Sequence, residues 1–350
     1  MVPYPTRCCL YKIQEGTNNE YVAIGWDGNI VRWGPLDGDE QKWVIIPVDA
    51  TNCRIQTAQK NCEFMTVEQG GNVRRWASTG GKDQLFSFVN SEDDWWNIQE
   101  RTRNEYLAVG WTGHIVRWAK TGGKEQKFKL VPVNPVDRPT LRRGECEPGD
   151  IGDIPRITGY GGGLPESTRP RLVAETVVPA TFVSDPHYSD KVEQVVRNPY
   201  YVLSREQYWG RNGSRGHYYE HDGHRKITRE VTVRFGVSES TSQTIENTLG
   251  FKVSVSGEFK YQSVTAAIQS ELTHELKVRT SQETTITTER EEKSTVEIPA
   301  ERFVYALWSM IDSYTLINEK GDKVQSWEVV LDGTSVADGY PNKLATVVKR

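Results

Sequence analysis

The chain has 350 residues and a net charge of −4, from 43 Lys and Arg against 47 Asp and Glu. That length exceeds what one core usually serves, so two domains are expected, and so balanced a charge excludes a protein whose work is nucleic-acid binding. Only 36% of residues are apolar but 10% are aromatic, which excludes a disordered chain, and no apolar run approaches the ~18 residues of a membrane-spanning helix.

The first ten residues, MVPYPTRCCL, lack the apolar stretch of a secretory signal, so a signal-peptide route is not expected. Cys8, Cys9, Cys53, Cys62 and Cys146 form an odd set without a C-x-x-C pair. Zinc-ligand spacing is absent, and neither a metal nor a cofactor is expected. Cys53 and Cys62 flank a short turn, which leaves a disulfide and buried thiols both open.

Residues 20–33 read EYVAIGWDGNIVRW, residues 63–76 read EFMTVEQGGNVRRW, and residues 105–118 read EYLAVGWTGHIVRW. Their closing tryptophans, Trp33, Trp76 and Trp118, are 43 and 42 residues apart. A strand precedes each block around Ile13, Ile55 and Ile98, and Gln-x-aromatic follows at Gln41–Trp43, Gln84–Phe86 and Gln126–Phe128. Period-two alternation broken by glycine turns is strand and hairpin grammar, and three such units suit one closed threefold β domain.

With that signature, residues 8–134 resemble a ricin-type β-trefoil lectin. The resemblance implies core roles for Gln41, Gln84 and Gln126 and sugar-stacking platforms at Trp33, Trp76 and Trp118. Apolar sugar faces pack on aromatic planes, and several platforms multiply weak single-site binding. The carboxylate such lectins carry falls here at Ala23, Thr66 and Ala108, so galactose selectivity does not carry over. Trp26, Asp27 and Trp111 in the adjacent loops are candidate replacements, with Glu40, Asp83 and Glu125 just before each Gln. The alternative is that the tryptophans are core and the domain is a scaffold.

Residues 132–170 hold seven of the 16 prolines and the run Gly161–Gly163, a composition that blocks regular elements. The expected organisation is a β-trefoil domain over 1–140, a linker over 141–170 and a second β domain over 171–350. In the last, Val231, Val233, Phe235 and Val237 share one face of a strand. Residues 280–298 are polar on both sides, as only a strand held between neighbours tolerates.

Residues 249–278 are the most informative. Leu249, Phe251, Val253, Val255, Phe259 and Tyr261 share one face of a first arm. Val264, Ala266, Ile268, Leu272, Leu276 and Val278 share one face of a second, with the parity inverted between 261 and 264. A hairpin turn there keeps both apolar faces on one side of a ribbon, and each arm exceeds the 9–11 residues a transmembrane β-strand needs. An ordinary half-buried hairpin alternates identically. Ile268, Leu272 and Leu276 also recur at the i+4 spacing of a helix over 264–278.

The segments Asn198–Trp209, Ile245–Phe251 and Glu271–Leu276 are similar to motifs of the insecticidal crystal-toxin family that contains the mosquitocidal binary toxin. Its members pair an N-terminal trefoil with an elongated aerolysin-type pore-forming domain, so the implied fold is all-β. The resemblance implies a parasporal-crystal or spore-associated protein that acts extracellularly, binds glycans on gut-cell membranes, oligomerises and inserts one β-hairpin per protomer. The implied partners are galactose- or N-acetylgalactosamine-type glycans or glycolipids and further copies of the chain in a pore. A soluble homodimer and a second toxin component stay open, and no nucleic acid is expected. The alternative is a lectin or storage protein that forms no pore.

No catalytic residues are expected. Glu291–Glu292 and Asp93–Asp94 point apart on a strand, unlike the facing carboxylates of a glycosidase, and no G-x-S-x-G elbow occurs. His217, His221 and His224 resemble a metal set, but the glycine before His224 suggests a solvated loop.

Overall fold

The computed structural model describes residues 9–49, 51–59, 61–161, 163–211, 218–262, 266–283, 285–341 and 347–349. The N-terminal part is three four-stranded units. The first holds β1 (Leu10–Glu15), β2 (Tyr21–Ile24), β3 (Ile30–Trp33) and β4 (Trp43–Pro47). The second holds β5 (Cys53–Thr57), β6 (Phe64–Val67), β7 (Val73–Trp76) and β8 (Phe86–Glu92). The third holds β9 (Trp95–Glu100), β10 (Tyr106–Val109), β11 (Ile115–Trp118) and β12 (Phe128–Val133).

Six strands close an antiparallel ring in the order β1, β4, β5, β8, β9, β12 and back to β1. Closure leaves that ring without an open edge. The other six form the hairpins β2–β3, β6–β7 and β10–β11, which meet one another through bridges Asn29–Arg74, Val31–His114 and Asn72–Val116. Ile13, Ile55 and Ile98 fill the ring together with Trp43, Phe86 and Phe128, all buried.

Gln41, Gln84 and Gln126 are buried, as the repeat pattern suggests, and each ties down its own loop. Their amide oxygens accept the N–H groups of Leu36, Thr79 and Thr121 at 2.7–2.9 Å. Their amide nitrogens donate to Gly34, Ala77 and Ala119 carbonyls at 2.7–2.8 Å. No disulfide joins Cys53 to Cys62, and Cys53 is a buried thiol near the Phe86 carbonyl.

The C-terminal part is a nine-stranded sheet with three α-helices among the described residues. In chain order it holds β13 (Arg171–Pro179), α1 (Lys191–Arg197), β14 (Tyr200–Gly210), β15 (Tyr218–Asp222), β16 (Ile227–Gly236) and α2 (Glu239–Leu249). A small hairpin of β17 (Phe251–Val253) and β18 (Phe259–Tyr261) follows, then α3 (Ala266–Glu275) and β19 (Glu289–Ile298). The chain ends with β20 (Arg302–Ile317), β21 (Lys323–Val330), β22 (Val336–Tyr340) and β23 (Val347–Lys349).

The sixteen-residue β20 is its spine. Its first half pairs with β15 and β22, its second with β14 and β21. The polar strand β19 sits between β16 and β23, as its two-sided polarity demands. Val44 of the ring belongs to the C-terminal core, and Phe182 packs against both cores.

Residues 141–170 form no strand but are not a free tether. Ile157 is buried on β20 beside Val304, Ala306 and Trp308. The Glu145 N–H donates to the Leu172 carbonyl at 2.7 Å, and Ile157 N–H to Asp338 Oδ2 at 2.7 Å. Proline and glycine prevent a strand ladder, yet leave single backbone groups able to bond the sheet beneath. This segment is a strap.

The folded chain does not form the two-armed ribbon expected over 249–278. Leu249 ends α2, where Gly250 takes a left-handed φ of 72°, and Phe251, Val253, Phe259 and Tyr261 form the short β17–β18 pair. Ile268 and Leu272 lie on α3, Leu276 and Val278 just beyond it; Val264 and the Ala266 side chain lie outside the described residues. Leu249, Phe251, Val253, Phe259, Ile268, Leu272, Leu276 and Val278 are all buried in the C-terminal core, while Val255 and Tyr261 are partly so. An open ribbon would hold that face in water; a helix and a short hairpin bury it against the sheet.

Candidate functional sites

The three hairpins of the N-terminal part interlock cyclically. The N–H groups of Arg32, Arg75 and Arg117 donate to the carbonyls of Gly113, Gly28 and Gly71 at 2.7–2.9 Å, each in another repeat. Those glycines have φ of 81–95°, which a side chain would strain, so the loop chemistry and the packing of the hairpins agree.

A cleft opens beside each hairpin. In repeat one, about 590 Å³ is bounded by Trp26, Trp33, Leu36 and Glu40, with Gln59 and Arg75 from repeat two. In repeat three, about 460 Å³ is bounded by Trp111, Trp118, Val116 and Glu125, with Thr17 and Arg32 from repeat one. In repeat two, about 520 Å³ is bounded by Trp76, Thr66, Glu68, Gln69, Arg74 and Asp83.

Trp26 and Trp111 are 100% and 103% exposed, and Trp33, Trp76 and Trp118 are 50%, 50% and 57% exposed. These five are surface walls and not core. Asp27 does not line its cleft. Its carboxylate accepts the Asn29 N–H at 3.0 Å and the Asn29 amide, bonds that hold it below the usual carboxylate range and shape the loop.

Two glutamates outside the repeat signature, Glu15 and Glu100, are buried. Glu15 accepts the N–H groups of Thr17, Asn18 and Glu20 at 2.7, 2.8 and 3.1 Å, and the Thr17 hydroxyl. Glu100 does the same with Thr102, Arg103 and Glu105. Burial pushes both carboxyls up, but the Thr hydroxyl and three N–H bonds outweigh it and hold both below their usual range. Each clamp fixes the Thr hydroxyl that receives Arg32 or Arg117. Thr57 takes this place in repeat two, so the signal was a Glu–Thr–Glu pattern at the end of the first strand of each repeat.

Among the described residues no three His, Cys, Asp or Glu side chains converge as a metal would need. His217 lies outside the described residues, and the His221 Nε2 is spent on the Arg225 carbonyl at 2.7 Å.

In the C-terminal part β16 and β19 pair without a slip from Ile227–Ile298 to Gly236–Glu289, and Val237 N–H bonds the Thr288 carbonyl at 2.8 Å. Everything between, from α2 to α3, is an excursion from one continuous ladder. Side-chain contacts toward its end help tie the excursion down. Lys277 and Glu271 pair with Glu147 and Arg138 at 2.7 and 2.5 Å, and Thr176 donates to Glu275. No helix of the described residues is long and apolar enough to cross a membrane.

Residues 171–342 match the family model described as Insecticidal Crystal Toxin, P42. The chain is 25% identical over 351 residues to the insecticidal crystal protein Cry35Ab1 of Bacillus thuringiensis, covering 95% of this chain and 89% of that protein. The crystal structure of Cry35Ab1 has the same fold, with a TM-score of 0.71 and 23% identity over 97% of this chain and 91% of that one. The chain is thus similar to insecticidal crystal proteins in sequence, with the family match confined to residues 171–342, and shares the fold of Cry35Ab1.

Proposed function

We propose that the protein is an insecticidal β-pore-forming toxin, deposited in a parasporal crystal and acting outside the producing cell on host-gut membranes. In this reading the ring with its three hairpins is a β-trefoil lectin domain, and the nine-stranded part is an aerolysin-type domain. The first holds glycans or glycolipids at its hairpin clefts; the second oligomerises and inserts one hairpin per protomer. No catalytic step is assigned.

One observation carries the pore reading. The β16–β19 register, continued one residue at a time through the excursion, meets itself between Gln262 and Ser263. The sequence inverts its parity at that same place. In the continued ladder Phe251 faces His274, Val253 faces Leu272, Val255 faces Ser270 and Phe259 faces Ala266. The apolar face also continues the buried face of Val231, Val233 and Phe235. The folded β17–β18 pair uses another register, Phe251 opposite Tyr261, so a parity inversion at the midpoint of the β16–β19 ladder serves no purpose in the folded hairpin. A single inserted hairpin leaves edge N–H and C=O groups bare in lipid, so insertion requires closure into a barrel by several copies.

Dye release from liposomes carrying gut-type glycolipids tests this: the protein should empty them, whereas a lectin or storage protein should at most aggregate them. Cysteines at Ser256 and Gln269, opposite one another in the continued ladder, should cross-link in the membrane-bound oligomer and not in solution. Release without that cross-link would remove the register argument.

A further inference from the structure

We infer that the N-terminal domain is a two-site lectin: the clefts of repeats one and three each take a neutral saccharide, and the cleft of repeat two takes none. This rests on the glycan-binding reading above and adds which clefts work and which sugar chemistry they admit.

The three clefts are related by the repeat but are not equivalent. Clefts one and three have two aromatic walls, Trp26 with Trp33 and Trp111 with Trp118. Fully exposed indoles at matching positions of two loops are costly in water and invite a ring to pack between the walls. Repeat two carries Gln69 at the loop position and has a single wall, Trp76.

That wall is already taken. The Arg74 guanidinium lies 5.3 Å from the Trp76 ring centroid, held there by Glu68 at 3.0 Å. A sugar would have to displace a cation–π contact and an ion pair together. Repeats one and three have Val31 and Val116 at this position, so neither has a guanidinium there to cover its tryptophan, and Val116 lines cleft three.

Charge decides the sugar class. Arg75 at cleft one is paired with Glu63 at 3.2 Å, and Arg32 at cleft three with Glu20 at 3.3 Å. The remaining acidic side chain of each cleft is Glu40 or Glu125, the latter also accepting the Thr121 hydroxyl. A carboxylate only accepts, so it suits hydroxyl and amide donors of a neutral sugar and repels a sialic acid, uronate or sulfate.

The test uses the intact protein. A broad glycan array is followed by native mass spectrometry with lactose and N-acetylgalactosamine, and 3′-sialyllactose as the anionic counterpart. Two neutral sugars should bind per chain. Trp26→Ala or Trp33→Ala should remove one, Trp111→Ala or Trp118→Ala the other, and Trp76→Ala neither. All five side chains are at least half exposed, so these variants should fold. Gln69→Trp combined with Arg74→Val should raise the number from two to three. Three sugars on the unaltered protein, loss on Trp76→Ala, or equal binding of 3′-sialyllactose would overturn the inference while leaving lectin activity standing. Silence across the whole array would overturn both.

Discussion

Arg205 and Asp312, 107 residues apart in sequence, form a 2.9 Å ion pair inside the C-terminal core, where both are buried. Arg205 Nη1 donates onward to the carbonyls of Leu276 and Lys277 at 3.1 and 2.6 Å, gripping the chain just beyond α3. Gln207 and Tyr314 donate to the same carboxylate at 2.6 and 3.2 Å. The pair therefore joins the permanent sheet to the end of the segment proposed to leave it.

Removing one member of a buried ion pair strands the other, at a cost of about 3–5 kcal/mol. Asp312→Ala should lower the urea midpoint accordingly. Arg205→Met with Asp312→Leu, which removes both charges, should recover much of the loss. An Asp312→Ala protein with an unchanged midpoint would show that the pair does not hold the core.

The Glu15 and Glu100 clamps give a pH dependence of definite sign. Their carboxyls lie below the usual value, about 4.3 for a free glutamate, so their stabilisation is complete above that value. It is lost as pH falls through the lower folded value. Glu100→Gln should cost about 1.5–3 kcal/mol at neutral pH, the range for hydrogen bonds to a charged group. It should also flatten the acid limb of a melting-temperature profile. An acid limb identical to that of the unaltered protein would assign acid unfolding to other groups.

The ion pairs that Glu271 and Lys277 make with Arg138 and with Glu147 of the strap should govern how readily α3 opens. Glu147→Lys and Arg138→Glu place like charges opposite Lys277 and Glu271. Each exposed pair contributes only about 0–1 kcal/mol, so the global midpoint should barely move. Hydrogen exchange over 266–278 should speed up several-fold in the double variant. Unchanged exchange there would mean that burial alone holds the helix.

Burial also decides which substitutions can probe the membrane face. Val253 and Leu272 would face lipid in the proposed ladder but are buried in the folded protein, so lysine at either should compromise the fold itself. Ser270 and Ser256 are exposed. In the ladder Ser270 lies on the lipid face and Ser256 on the lumen face. Ser270→Lys should stay folded yet abolish dye release, since charge facing lipid costs about 2–4 kcal/mol per strand near the midplane. Ser256→Lys should keep release and alter ion preference. Equal release by both would contradict the face assignment.

The threefold organisation was legible from sequence because each repeat states its structure locally. Period-two alternation, a glycine turn and a buried Gln-x-aromatic recur in register, and no distant partner is needed to read them. The polar strand β19 was legible for the same reason. Other features depend on groups far apart in the chain. The strap docks through single backbone bonds that leave no periodicity. Arg74 differs from any surface arginine only by what lies beneath it, and Arg205 finds Asp312 across the sheet. Residues 249–278 are the sharpest case. Their apolar positions satisfy an alternating strand, and Ile268, Leu272 and Leu276 also satisfy the i+4 spacing of a helix, so local pattern determines which side chains must leave water but not the backbone that takes them there. In the folded chain the choice falls to the C-terminal core: Tyr314, Trp327 and Val329 offer a surface that a short hairpin and a helix can cover and an open ribbon cannot.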